Sequence, residues 1–183
     1  MLHCYEVLIS LVVFWALRGG GAGSWGVIVS ATFRTFPIFN ATQSDAVIYL
    51  PTKEAVVTFA QIHAKHIFDW DNYPAGQYFY LINLSDPATP GYVMMLTTYF
   101  PNATAADAET AMKPLLDEAQ AQGFVLVVNN VTEGVANDLF QPDSAAGVNL
   151  IMGSRLIPER VYRENVEEVG RTYASILDDG SPK

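Results

Sequence analysis

The chain has 183 residues, with ten Lys+Arg against nineteen Asp+Glu for a formal net charge of −9; 50% of its residues are hydrophobic and only 16% are charged. That much apolar material excludes a disordered chain, and the length fits about one domain with part of a second. An acidic balance without any Lys/Arg cluster argues against nucleic-acid binding, and the single cysteine, Cys4, excludes a disulfide framework and a cysteine-built zinc site.

Val7 to Leu17 is the most apolar segment, and its eleven residues are too few for a bilayer span, which takes about twenty. The length suits a signal-peptide core, but no Lys or Arg precedes it, and Arg18 with a glycine run follows it. A buried helix or strand, a signal, and a mis-assigned start are the three readings. Five glycines then fall within eight positions, Gly19 to Gly26. Such a row suits a backbone that takes positive φ or approaches a ligand closely, and its N–H groups could cradle an anion. It lacks the Gly-Lys-Ser/Thr of a Walker loop, and it enters a strand where a Rossmann turn would open a helix. A ligand loop and a structural glycine turn both fit the spacing.

Val27 to Phe36 predicts a strand, β-branched and aromatic and stopped by Pro37. Ala46 to Leu50 predicts a second, ending at Pro51. From Thr52 the period becomes helical, with Val56, Phe59, Ala60, His63 and Ile67 on one face. Asp71 to Gly76 is a turn cluster. Gln77 to Leu84 and Tyr92 to Phe100 form a hairpin with a long loop. Thr104 caps a helix carrying Ala108, Met112, Leu115 and Ala119 inward, in which Pro114 should force a kink or restart. Phe124 to Val128 and Val148 to Ile157 read as strands. Glu159 to Leu177 reads as one helix, burying Val161, Val166, Val169, Tyr173 and Ile176, and Asp178 to Lys183 as a frayed end. The order predicts an α+β fold, an antiparallel sheet with helices on one face.

Asn-x-Ser/Thr sequons stand at Asn40, Asn83, Asn102 and Asn130, each near an expected turn or element end. With nine Asn in the chain, four exceed the chance expectation of about one and point to a secreted glycoprotein. His63 and His66 lie three apart on a helix, but the spacing offers no matching carboxylate, so core packing for His63 and a solvent-facing His66 are expected, with no metal. Asp69, Asp71, Asp178 and Asp179 read as solvated turn residues. On the hairpin, Gln77, Tyr78, Tyr80, Met94, Thr97 and Tyr99 are candidates for a pocket over one sheet face, against ordinary sheet packing. No Ser-His-Asp or Cys-His arrangement emerges.

One segment carries more. Trp15-Ala-Leu-Arg-Gly-Gly-Gly-Ala-Gly-Ser-Trp-Gly-Val-Ile-Val, continuing to Thr32-Phe-Arg-Thr-Phe-Pro37, resembles the end of the FAD-binding domain in berberine-bridge-enzyme-like FAD-linked oxidoreductases, whose flavin domain is the p-cresol methylhydroxylase type. Ala22 departs mildly from the usual glycine row. Gly153-Ser-Arg-Leu-Ile-Pro158 resembles, less specifically, part of the same family's substrate domain. The resemblance implies FAD contacts at Gly19, Gly20, Gly21, Gly23, Ser24, Gly26 and Ile28. It implies a substrate domain whose sheet covers the isoalloxazine; of the hairpin candidates read from alternation, Tyr78, Tyr80, Met94 and Thr97 are those expected toward a small-molecule substrate. It divides the chain into an unmatched leader (1–13), a remnant of the FAD-binding domain (14–38) and a substrate domain incomplete at its C-terminus (39–183).

The family's upstream pyrophosphate loop, the His and Cys that tether flavin, the Asn-Pro-Asp-Leu that usually precedes Phe14, and the Tyr-x-Asn-Tyr segment near its C-terminus have no counterpart in this sequence. Cys4 falls in the unmatched leader and is not the tether. The expectation is a fragment truncated at both ends, inactive by itself and a poor FAD binder. The parent would oxidise a small organic substrate by hydride transfer to flavin N5, with dioxygen as oxidant. The competing expectation is a non-enzymatic, glycosylated α+β module that binds a ligand or protein, or self-associates, through its exposed sheet face.

Overall fold

A computed structural model describes residues 15–16, 34–84, 88–139 and 156–177. The chain divides into two compact units, Met1–Pro37 and Ile38–Lys183. In the first, the Arg34 guanidinium stands 5.5 Å from the Phe36 ring centre. The strand expected over 27–36 lies outside the described residues as far as position 33, and residues 34–39 are irregular.

The second unit runs β1 (Asn40–Leu50), α1 (Lys53–His66), β2 (Gly76–Leu84), β3 (Gly91–Pro101), α2 (Ala105–Ala121), β4 (Val125–Val135), a short α3 (Ala136–Leu139), α4 (Glu159–Glu164) and α5 (Val166–Ile176). The sheet order is β2-β3-β1-β4, and the three neighbouring pairs are all antiparallel. Through Leu139 this is the split βαβ arrangement of ferredoxin-like folds, in which each helix joins two strands separated by a third. The expected α+β class, an antiparallel sheet with helices, is what the chain adopts.

Alternation builds the core. On β1, Thr42, Ser44, Ala46, Ile48 and Leu50 are buried, while Gln43, Asp45, Val47 and Tyr49 between them are partly exposed. The aliphatic members of this buried set, Ala46, Ile48 and Leu50, join Val56 and Phe59 of α1 and Ala108, Met112 and Leu115 of α2 in one core cluster. Phe59 meets Phe124 edge-on at 5.8 Å. Thr52 caps α1 by accepting from the Ala55 amide at 3.2 Å. Thr104 and Asp107 form a reciprocal capping box on α2, and Glu133 of β4 accepts from the Ala105 amide at 3.0 Å, tying that helix start to the sheet edge.

Several expectations are corrected. β1 begins at Asn40, six residues before the predicted start at Ala46, because its first half alternates small buried residues with polar ones and lacks an aliphatic signature; ladders to β3 and β4 hold it extended. For the same reason β4 runs to Val135 through Asn129 and Asn130. The helix with Pro114 does not restart; Pro114 sits on its exposed side, where the carbonyl it leaves unpaired can meet water. The predicted final helix is two, broken at Asn165 (φ −131°, ψ 41°). The break resets the helical phase, so Val169, Gly170 and Ala174 are buried and Ile176 is 63% exposed. The strand expected over 148–157 lies outside the described residues except for Leu156 and Ile157, which are irregular.

Gly170 sits where α5 crosses α1. A Cβ there would stand 2.6 Å from the Val57 carbonyl oxygen and 2.7 Å from Gln61 Cγ. Helix propensity alone favours Gly170→Ala by about 1 kcal/mol, but the backbone clash reverses the sign. The expected outcome in urea unfolding is a loss of about 1–3 kcal/mol; a stabilised variant would show that the helices move apart freely.

His63 is buried beside Phe79 and Trp70, at ring separations of 5.1 and 6.3 Å. Gln77 donates from Nε2 to Thr98 Oγ1 (2.7 Å), leaving its Oε1 to accept from His63 Nε2 at 2.6 Å. Burial pushes the His63 pKa down; the Gln77 bond opposes this and His66 adds to it. The unfolded chain therefore takes up this proton more readily. Stability from this group is complete above the ordinary His value of about 6.5 and declines as pH falls below it. Urea midpoints at about pH 7.5 and 5.5 should differ in the native chain, and His63→Gln should narrow that difference.

Candidate functional site

Among the described residues of the second unit, helices cover one face of the sheet and no element covers the other, here called the open face. Residues paired across strands share a face, so the register sorts the open face into rows. Gly76, Tyr99, Gln43 and Thr132 form one, and Tyr78, Thr97, Asp45 and Asn130 the next. Then come Tyr80, Met95, Val47 and Val128, and finally Ile82, Val93, Tyr49 and Val125. A register shift between Val47 and Ile48 leaves Val127 unpaired on β4. An antiparallel sheet with one solvated face ordinarily turns polar residues outward. Here Tyr78 (63%), Tyr80 (52%), Ile82 (40%), Met95 (37%) and Val125 (59%) are turned outward instead. Apolar surface gathered in one place marks an interaction site.

The polar centre of this face is Asp45. Thr97 donates from Oγ1 to its Oδ1 at 2.8 Å and Gln43 from Nε2 to its Oδ2 at 2.7 Å. Tyr99 meets Tyr78 edge-on at 6.5 Å. The Tyr99 phenol is pushed above its usual range, first by burial and then by the Asp45 charge and by Tyr78 and Tyr80. An aromatic wall, a fixed carboxylate and two apolar rows thus lie side by side.

The candidates from sequence divide accordingly. Tyr78, Tyr80, Thr97 and Tyr99 are brought together on the open face. Met94 is not: it is 1% exposed in the core beneath the helices, and Met95 holds the outward position. Gln77 likewise points to the helix side, onto His63 and Thr98. Both errors are one-residue phase errors, which in a strand exchange the faces. Asp45 is the residue missed by sequence reasoning; alternation with Gln43, Val47 and Tyr49 would have found it had the strand been started at Asn40. Gly19, Gly20, Gly21, Gly23, Ser24, Gly26 and Ile28 lie outside the described residues.

The four sequon asparagines, Asn40, Asn83, Asn102 and Asn130, are all exposed. Asn102 takes a left-handed φ of 56° after β3. Asn130 lies inside β4, not at a turn. His66 is not solvent-facing but buried. Its Nδ1 lies 2.5 Å from Asp69 Oδ2 and its Nε2 2.7 Å from Glu118 Oε2, which Lys65 also reaches at 2.7 Å. Asp69 is thereby a structural partner, and the Lys65 and His66 hydrogen bonds hold the Glu118 carboxyl below its usual range. Among the described residues no group of three His, Cys, Asp or Glu is placed to hold a metal ion, and no helix is long and apolar enough to cross a membrane. On the helix side, a polar groove of about 440 Å³ between α2 and β4 is lined by Ser44, Lys113, Asp117 and Asn129 among others. The buried Ser44 hydroxyl on its floor has no hydrogen-bond partner.

No family model matches the chain. Curated relatives do. The FAD-linked oxidoreductase patO of Aspergillus clavatus is 26% identical over 175 residues, covering 92% of this chain and 29% of that protein. An uncharacterized FAD-linked oxidoreductase of Arthroderma benhamiae is 29% identical over 163 residues, covering 81% of this chain and 27% of its own length. The FAD-linked oxidoreductase easE of Arthroderma otae is 49% identical over a shorter stretch of 39 residues, 21% of this chain and 6% of that protein. The solved VAO-type flavoprotein MtVAO713 of Myceliophthora thermophila superposes with a TM-score of 0.64 at 18% identity, over 88% of this chain and 30% of that one. The chain spans less than a third of the length of the relatives it matches.

Replacing Asp45 by Asn removes one of the charges that raise the Tyr99 phenol. The tyrosinate absorbance of Tyr99, isolated by difference against Tyr99→Phe, should therefore appear at lower pH in D45N than in the native chain. An unchanged titration would mean that burial and the neighbouring tyrosines govern Tyr99 without Asp45.

Proposed function

We propose that this chain, homologous to FAD-linked oxidoreductases and sharing the fold of VAO-type flavoproteins, is the substrate-covering part of such an oxidoreductase together with the end of its flavin domain. The division falls near residue 38. The observation that carries this reading is the open sheet face, most of whose outward positions are aromatic or aliphatic where solvent alone would select polar ones. A flat face of Tyr80, Met95, Val47 and Val128 fits one side of a planar ring system, and Tyr78, Thr97, Asp45 and Tyr99 beside it supply the polar contacts a small organic substrate needs.

When bound, a flavin supplies two-electron acceptance from a substrate C–H bond, with dioxygen as the final oxidant. The part of this chain is to exclude water from that bond with the apolar rows and to orient the substrate with the Asp45 row. Gly19, Gly20, Gly21, Gly23, Ser24, Gly26 and Ile28 are the residues proposed to approach the cofactor. Four exposed sequon asparagines support a secreted, glycosylated protein.

Two measurements test this. The purified chain should carry no stoichiometric flavin, because it spans less than a third of the length of the flavoenzymes it matches. Free FAD titrated in should shift amide signals of Tyr80, Met95 and Val47, with little effect on α1 and α2. A chain that purifies yellow with one flavin per molecule, or shifts confined to the helices, would overturn the reading.

A further inference from the structure

We infer that the open face is selective for an organic cation: a small molecule whose protonated amine is carried on an apolar body. This rests on the reading that the open face meets substrate. Among the sixteen positions of the four rows, Asp45 is the one charged residue. Both hydrogen bonds that fix it come from neutral donors, Thr97 at 2.8 Å and Gln43 at 2.7 Å. They orient the carboxylate without neutralising it. Among the described residues no Lys, Arg or His lies within ion-pair distance of Asp45. A carboxylate held among tyrosines and aliphatics loses hydration as soon as the face is covered; two neutral donors offset part of that loss, and a positive partner offsets most of what remains.

The surroundings favour the same charge. Tyr99 lies close enough to Asp45 for the carboxylate to disfavour its ionisation, and Tyr78 and Tyr80 act on it in the same direction. Aromatic ring faces attract a cation through their quadrupole, and ring walls combined with a carboxylate are the usual setting for recognising ammonium groups. The geometry also gives the ligand a direction. The ammonium belongs on the row of Tyr78, Thr97 and Asp45, and the apolar body on the adjacent rows, over Met95 and Val47 and on toward Val93 and Val125. A carboxylic acid of the same shape would be repelled by Asp45. A neutral alcohol could donate one hydrogen bond but would gain nothing from the charge.

The test uses 4-phenylbutylamine, with 4-phenylbutan-1-ol as its neutral analogue, each titrated into the 183-residue chain and followed by amide shifts of Tyr78, Met95 and Thr97. The amine should bind about tenfold more tightly than the alcohol. Added salt should weaken the amine and leave the alcohol unchanged. Asp45→Asn should bring the amine down to the alcohol's affinity while leaving the alcohol where it was. Salt dependence in the native chain keeps the test decisive should D45N fold poorly. Equal binding of amine and alcohol, or amine binding indifferent to salt and to D45N, overturns the inference. If FAD shifts the same face while the amine shows no preference, the substrate class alone is wrong. If neither ligand touches the face, the oxidoreductase reading falls with it.

Discussion

The ladders on the two sides of β1 hold the second unit together. Ala41 through Leu50 pair residue by residue with β3, and Asn40 through Tyr49 pair with β4. β1 therefore joins segments that lie some fifty and ninety residues further along the chain. Each crossover from a strand to the next parallel one needs a helix, so α1 and α2 must both lie on the side that β1's buried set faces. Helix layer and open face are two results of one constraint: a central strand of period two whose crossovers take the same hand.

Where elements carry a strong periodic signal, the sequence is enough to place them. Val56, Phe59, Ala60 and His63 mark α1, and Thr104 with Asp107 marks the start of α2 within a residue. The illegible parts are those whose conformation is imposed from outside. Asn40 to Asp45 and Asn129 to Gly134 have little intrinsic preference for extension, and are strands because each is the other's partner. Asn165 interrupts a run that reads as continuous helix, and across the break Tyr162 and Tyr173 meet hydroxyl to hydroxyl at 2.8 Å, Tyr162 packed on Phe68 and Tyr173 on Phe79. No local pattern announces such a contact.

The site was legible to the same degree and for the same reason. Tyr78 and Tyr80 alternate within a strand that is evident from sequence, so their shared face follows directly. Met94 and Met95 are chemically equivalent neighbours, and only the register decides between them. Asp45 stayed hidden because an isolated aspartate beside Ser44 reads as a turn residue, whereas its neighbours at the site come from strands far apart in sequence. The polar centre exists only after folding. Part of the apolar half of the composition acquires a location here: Tyr78, Tyr80, Ile82, Met95 and Val125 lie on the outward side of the sheet, away from the core of this unit.

Asn130 occupies the same row as Asp45, on the opposite side from Thr97, and it also begins a sequon. A sugar attached there would rise from the face beside the carboxylate. It would stand in the way of any broad surface laid across β1 and β4, whether a cofactor domain or another protein. Asn40, Asn83 and Asn102 lie at strand ends and carry no such conflict. The Asn130 side chain already donates to Thr132 Oγ1 at 3.1 Å, so the hydroxyl that makes it a sequon also serves to hold it down. A glycan on Asn130 would compete with any cover laid over the Asp45 row, whereas one on Asn40, Asn83 or Asn102 would not.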